Sequence, residues 1–92
     1  MPLLNIGKLI MTTGIKEAAD SSKMYSNELV SCVERYISYD WGDLCEDDKI
    51  SNQEALRNGD RILGAYNTSK GKVYIITEWD RSVTTVLFAS EY

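Results

Sequence analysis

The chain contains no histidine. That removes the commonest general base, the commonest metal ligand and the usual pH switch together. Ser-His and Cys-His nucleophile pairs are excluded, and so is zinc held by cysteine with histidine. Cysteine is scarce: Cys32 and Cys45, with no CxxC spacing. A secreted domain of this size usually carries more cysteines, in disulfide pairs, so two reduced thiols in a cytoplasmic protein are expected. A metal site or a redox pair is the alternative use of the two. No apolar run approaches the roughly 20 residues that span a bilayer. One lysine precedes a short N-terminal apolar stretch without a small-residue cleavage site, so no signal peptide is expected. There is no basic run, and the net charge of −4 repels phosphate. Direct nucleic-acid binding is therefore disfavoured, an exposed aromatic sheet face being the weak exception. A GxSxG elbow, a P-loop and a dinucleotide fingerprint are all missing.

What is present is an ordinary globular composition, 43% hydrophobic and 26% charged over 92 residues. That length supports one domain with one modest core and a stability on the order of 5 kcal/mol. Alternation in Ile6-Gly7-Lys8-Leu9-Ile10-Met11 predicts a strand over about 5–12, ended by Thr12-Thr13-Gly14. Residues 15–22 are polar and small, and Asp20-Ser21-Ser22 suits a helix cap. Tyr25, Leu29, Cys32, Val33, Tyr36 and Ile37 then fall on one face of a helix over about 23–38. After a loop at Tyr39-Asp40-Trp41-Gly42-Asp43, an acidic capping box, Asp43 as N-cap with Glu46 at N3, predicts a second helix. It runs to about Arg57 and stops at Asn58-Gly59. Its apolar stripe (Leu44, Ile50, Ala55, Leu56) is thin, as for a surface helix.

The last third reads as three strands, 61–67, 73–77 and 83–88. Asn67-Thr68-Ser69-Lys70-Gly71 and Trp79-Asp80-Arg81-Ser82 turn the chain between them. The expected fold is α+β: an antiparallel sheet of about four strands packed against two helices, in the order β-α-α-β-β-β.

Charge is unevenly placed. Residues 1–39 carry four acids and four bases. Residues 40–60 carry seven acids (Asp40, Asp43, Glu46, Asp47, Asp48, Glu54, Asp60) against Lys49 and Arg57, a net of −5. Residues 61–92 carry three acids and four bases. An acidic patch of this kind can dock on a basic protein surface, where complementarity speeds encounter and selects partners. The same acids also fit a solvated helix face whose first turn matches the helix dipole.

Other readings of these residues stand beside that one. Asp43, Asp47 and Asp48 at helical spacing suggest a hard-cation site, but EF-hand order is missing, and no metal or other cofactor is expected. Glu78 and Asp80 suggest a paired-carboxylate hydrolase, yet a domain this small has little room for a deep pocket. Trp41 and Trp79 flank loops, and a loop tryptophan either anchors an interface or covers the edge of a small core. Arg81 reads as a binding residue, or as a partner of Asp80 or Glu78.

Two blocks carry a resemblance. The first is Asp40-Trp41-Gly42-Asp43-Leu44-Cys45-Glu46 with Asp48-Lys49, Asn52, Ala55-Leu56, Gly59 and Arg61-Ile62. The second is Ile75-Ile76-Thr77-Glu78, Asp80-Arg81-Ser82, Thr84-Thr85 and Leu87-Phe88, with Glu91-Tyr92 beyond. The chain resembles a family of short proteins borne by plasmids, prophages and integrative elements of Gram-positive bacteria, commonly labelled plasmid-related proteins. It departs from that pattern at Ala89-Ser90, where a proline is expected. The resemblance carries no catalytic residues with it. It implies a mobile-element context, in which short acidic proteins often antagonise host defence, as anti-CRISPR and anti-restriction proteins do. The expectation is a non-enzymatic, cytoplasmic inhibitor that binds a CRISPR effector or other defence nuclease complex stoichiometrically. Asp40, Trp41, Asp43, Glu46, Asp47 and Asp48 would make the contact. A structural oligomer of the mobile element and a small metal-dependent enzyme are the alternatives.

Overall fold

The computed structural model describes residues 3–92; Met1 and Pro2, which the single-domain expectation includes, lie outside the described residues. The elements are β1 (Lys8–Met11), α1 (Thr13–Ser21), α2 (Lys23–Ile37), α3 (Glu46–Asn58), β2 (Ile62–Thr68), β3 (Gly71–Thr77) and β4 (Val83–Phe88), followed by a 3-10 turn, Ala89–Glu91. One four-stranded sheet with the order β1-β4-β3-β2 carries the helices, an α+β arrangement.

The amphipathic helix forms as its spacing predicts. Ser22 caps α2, its hydroxyl accepting from the Tyr25 N–H at 3.2 Å, and Tyr25, Leu29, Cys32 and Tyr36 are buried. The meander also forms, with continuous antiparallel register from Ile62↔Thr77 to Thr68↔Gly71 and from Val73↔Phe88 to Thr77↔Thr84. Period-two alternation puts Ile62, Tyr66, Val73, Ile75, Thr77, Thr84 and Val86 on the core side, all buried.

Three expectations are corrected. Residues 13–21 form a helix, α1, so there are three helices, not two. Thr12 caps α1, its hydroxyl accepting from the Ile15 N–H, and Ile15 is fully buried with Ala18 and Ala19 packed beside the core. α2 follows α1 without a loop, because Ser22 ends one and caps the other. Second, the sheet is mixed. β1 is shorter than the predicted strand and pairs parallel with β4, Lys8↔Val83 to Met11↔Val86. Third, the capping box on Asp43 does not form. Cys45 is the N-cap and makes no side-chain cap bond, while the Asp43 carboxylate accepts from the Asn67 N–H at 2.9 Å. Gly42 forms an isolated bridge to Ala65 of β2, with Trp41 and Asp43 bonded to Ala65 on either side of it, and the helix starts beyond them.

A buried hydroxyl chain ties helix to sheet. Thr84 Oγ1 donates to the Ile6 carbonyl at 2.7 Å, which leaves it to accept from Thr77 Oγ1, also at 2.7 Å. Thr77 in turn accepts from the Tyr36 hydroxyl at 2.7 Å. The bond at the Ile6 end thus fixes the direction of the others. Tyr36 reaches this position because Gly64 lies beneath it: a Cβ there would sit 2.7 Å from the Tyr36 ring.

Candidate partner-binding surface

The acidic segment is held rigidly on the outer edge of β2. The Ala65 N–H donates to the Trp41 carbonyl at 3.1 Å, and the Asp43 N–H donates to the Ala65 carbonyl at 2.7 Å. This pairing needs glycine at position 42. Its φ is +78°, and a Cβ would collide with the Ala65 carbonyl. Beyond the loop, Asn52 of α3 docks on β2 through two bonds to the Leu63 main chain. Gly59 closes α3 in the left-handed conformation, as its place in the sequence predicts.

The six expected contact residues divide into three groups. Asp40 and Asp43 are tied into the scaffold. The Arg35 guanidinium donates to Asp40 at 2.9 Å, and the Gly42 N–H donates to the same carboxylate at 3.0 Å. The Arg35 guanidinium, then the Gly42 N–H, hold the Asp40 carboxyl below its ordinary range. Trp41 is 3% exposed and packs edge-on against Tyr36 and Tyr39. It covers the edge of the core and presents no ring face to a partner. Its Nε1 is the one buried side-chain donor without a partner among the described residues. Glu46, Asp47 and Asp48 are exposed in the first turn of α3. One loose contact, Lys49 Nζ to Glu46 at 3.9 Å, is the ion pair among these three.

Asp40, Trp41 and Glu46 come together around a shallow cavity of about 310 Å³, with Tyr39, Lys49 and Ile50 also on its wall. Asp43, Asp47 and Asp48 do not line it. From its spacing Tyr39 is expected only as part of the loop, and Ile50 as part of the packing stripe of the helix; the exposed position of Ile50 corrects the latter. Both are exposed apolar side chains beside the acids. Tyr39 has φ +68° just after α2, which turns the chain out of the helix. The Asn-Gly stop and the single acidic run were visible signals, but nothing in the sequence shows that Ile50 faces outward.

Among the described residues, no three Asp, Glu or Cys side chains group as a metal site would require. Asp43 faces Asn67, away from Asp47 and Asp48. Glu78 pairs with Arg61 at 3.5 Å, and Asp80 accepts from Ser82, so neither joins the acidic loop. The Ser82 hydroxyl and N–H hold the Asp80 carboxyl below its ordinary range. Arg81 has a third role: its guanidinium donates to the Asp60, Glu78, Trp79 and Ala55 carbonyls, closing the end of α3 against the β3–β4 turn. Cys32 is buried and Cys45 exposed, both as free thiols, and burial pushes the Cys32 thiol up. No helix among the described residues is long and apolar enough to cross a membrane. No protein-family model, curated protein or solved structure is found to match the chain.

Proposed function

We propose that this protein is a non-enzymatic inhibitor that works in the bacterial cytoplasm by stoichiometric binding. Its acidic α3 end meets the basic groove of a nucleic-acid-targeting defence complex. The resemblance to mobile-element proteins points to a CRISPR effector as that complex. The observation that carries the reading is the exposed trio Glu46, Asp47 and Asp48, whose side chains make no bond to the scaffold among the described residues beyond the contact with Lys49. These carboxylates stand on a helix pinned to the sheet by Asn52 and Arg81. A partner therefore meets three negative charges whose positions are already set, so little ordering cost opposes binding.

Exposed Tyr39 and Ile50 beside the acids supply the apolar contact that an interface centre needs, with the charges as its rim. The helix dipole favours negative charge at this end of α3 in any case. What distinguishes a docking surface is the adjoining apolar pair. The test is a cleavage titration with purified CRISPR effectors and restriction nucleases. One of them is expected to lose activity linearly with added protein, reaching an endpoint at a fixed molar ratio. Activity unchanged in every complex contradicts the reading. So does inhibition by far less than one equivalent that deepens with time, because that is turnover by an enzyme.

A further inference from the structure

The two edges of the sheet are treated differently. On β2, the outward N–H groups of Leu63, Ala65 and Asn67 are all taken, by the Asn52 amide, the Trp41 carbonyl and the Asp43 carboxylate. An edge sealed in this way cannot pair with another strand. On β1, Lys8 and Thr12 donate to the Ser82 and Val86 carbonyls of the β4 side. Strand alternation then turns the N–H and C=O groups of Leu9 and Met11 outward. Among the described residues these four groups have no hydrogen-bond partner. Among the described residues the side chains there are only partly covered: Leu9 is 43% exposed, Ile10 40% and Met11 48%. Leu9 and Met11 also line an apolar groove of about 290 Å³, walled by Leu29, Val30 and Val33 of α2.

We infer that two copies of this chain pair through β1, antiparallel about a two-fold axis, making one continuous eight-stranded sheet. The register follows from stereochemistry. A two-fold axis perpendicular to the sheet keeps each face on its own side, so a residue must oppose one of the same parity. Engaging both outward residues of a four-residue strand then requires Leu9 opposite Met11 of the second copy, and Ile10 opposite Ile10. Leu9 and Met11 exchange both main-chain bonds in each of two symmetric pairs, four bonds in all, using the groups left open. Lys8 falls opposite Thr12, so no like charges meet across the seam. The side chains of Leu9 and Met11 emerge beside the apolar grooves of both copies.

Charge placement selects this occupant. Residues 1–39, which include β1, α1 and α2, carry four acids and four bases, whereas the acid-rich segment lies at the far edge beside β2. Two copies of a net-negative chain can therefore approach at this edge without bringing their acidic faces together. The pairing strand is only four residues long in each copy, well short of a standard interface, so the dimer is expected to dissociate on dilution. Each copy keeps its acidic face on the outer flank, and the pairing does not depend on what that face binds.

Sedimentation velocity of the full chain across a concentration series tests this. The expected result is a shift from monomer to dimer mass as concentration rises, and a shift at least tenfold higher in concentration for Ile10→Lys, which sets two ammonium groups opposite each other. Circular dichroism checks that the variant keeps its fold, as a half-exposed position allows. A second readout reports the register of the pair. In a Cys45→Ser background, Ile10→Cys is expected to form an intermolecular disulfide under mild oxidation. Its Cα atoms would lie about 4.5 Å apart as a non-hydrogen-bonded pair. Lys8→Cys is expected not to cross-link. Monomer mass up to about 1 mM, or cross-linking at position 8 as fast as at position 10, overturns the proposal.

Discussion

Asn52 on α3 grips the main chain of Leu63 on β2 from both sides, its Nδ2 donating to the Leu63 carbonyl at 2.6 Å and its Oδ1 accepting from the Leu63 N–H at 3.2 Å. A helix side chain here does what a neighbouring strand would do. That explains how a helix with so few apolar residues stays in place. Asn52→Ala leaves two strand groups unpaired at a part-buried position. It is expected to cost about 2–4 kcal/mol, read as a lower urea midpoint. A loss below about 0.5 kcal/mol would mean that α3 is held elsewhere.

Arg81 should matter as much, although it pairs with no carboxylate. Its guanidinium meets four carbonyls from α3 and the β3–β4 turn, and its own φ of +61° is unusual for a side chain of this size. Arg81→Ala is expected to destabilise by about 1–3 kcal/mol. Arg81→Lys should recover less than half of the loss, because an ammonium cannot span acceptors on both elements. Full recovery by lysine would show that charge alone is enough.

Tyr36 sets the alkaline limit of the fold. Burial pushes its hydroxyl up to about 12 from an ordinary 10. Burial pushes Tyr25 and Tyr66 up as well. The native state therefore keeps these phenols neutral where the unfolded chain has ionised them. The Tyr36 contribution is fully present below pH 10 and is lost as pH rises from 10 towards 12, and the other two act in the same direction. Urea midpoints should be flat from neutrality to about pH 9 and then fall. Tyr36→Phe should flatten part of that fall at some cost in neutral stability, since Thr77 loses its donor. An identical alkaline slope in the variant would remove Tyr36 from the account.

Much of this was legible beforehand, and the misses have physical causes. The α2 face was readable because Tyr25, Leu29, Cys32 and Tyr36 repeat at helical spacing over about three turns, and the three meander strands because β-branched residues alternate between turn signals. α1 was not, because Ile15, Ala18 and Ala19 are too few to show a period. The parallel pairing of β1 with β4 was hidden because a strand's pattern tells its faces, not its neighbour. Asp43 misled because its carboxylate had two possible uses, a helix cap and a strand N–H, and only the path of Gly42 along Ala65 decides between them. The acidic run itself was plain in the sequence. Which carboxylates are tied down, Asp40 and Asp43, and which stand free, Glu46, Asp47 and Asp48, required the fold.

Trp41 and Trp79 make the same point with a measurable consequence. Both flank loops, yet Trp41 is 3% exposed and Trp79 is 66% exposed. Trp79→Phe should leave a blue-shifted emission from Trp41 alone, with little change in stability. Trp41→Ala should cost about 3–5 kcal/mol. Trp41→Phe should cost far less, because it removes a buried N–H that has no partner. Equal losses for the two Trp41 variants would mean that the indole N–H is satisfied in solution.

Inhibition by docking requires that the exposed carboxylates of α3 recognise a basic protein surface. The direct measurement is capture of purified CRISPR effector and restriction complexes on the immobilised chain, at low and high salt, beside a variant carrying Glu46→Gln, Asp47→Asn and Asp48→Asn. Neutral amides keep the shape of the helix end, and the stability change should stay within about 0.3–1 kcal/mol per site. One complex is expected to be retained, with capture weakened by salt and with the variant binding it at least tenfold more weakly while remaining folded. Retention of none of them, or equal retention by the variant, would contradict docking through these carboxylates.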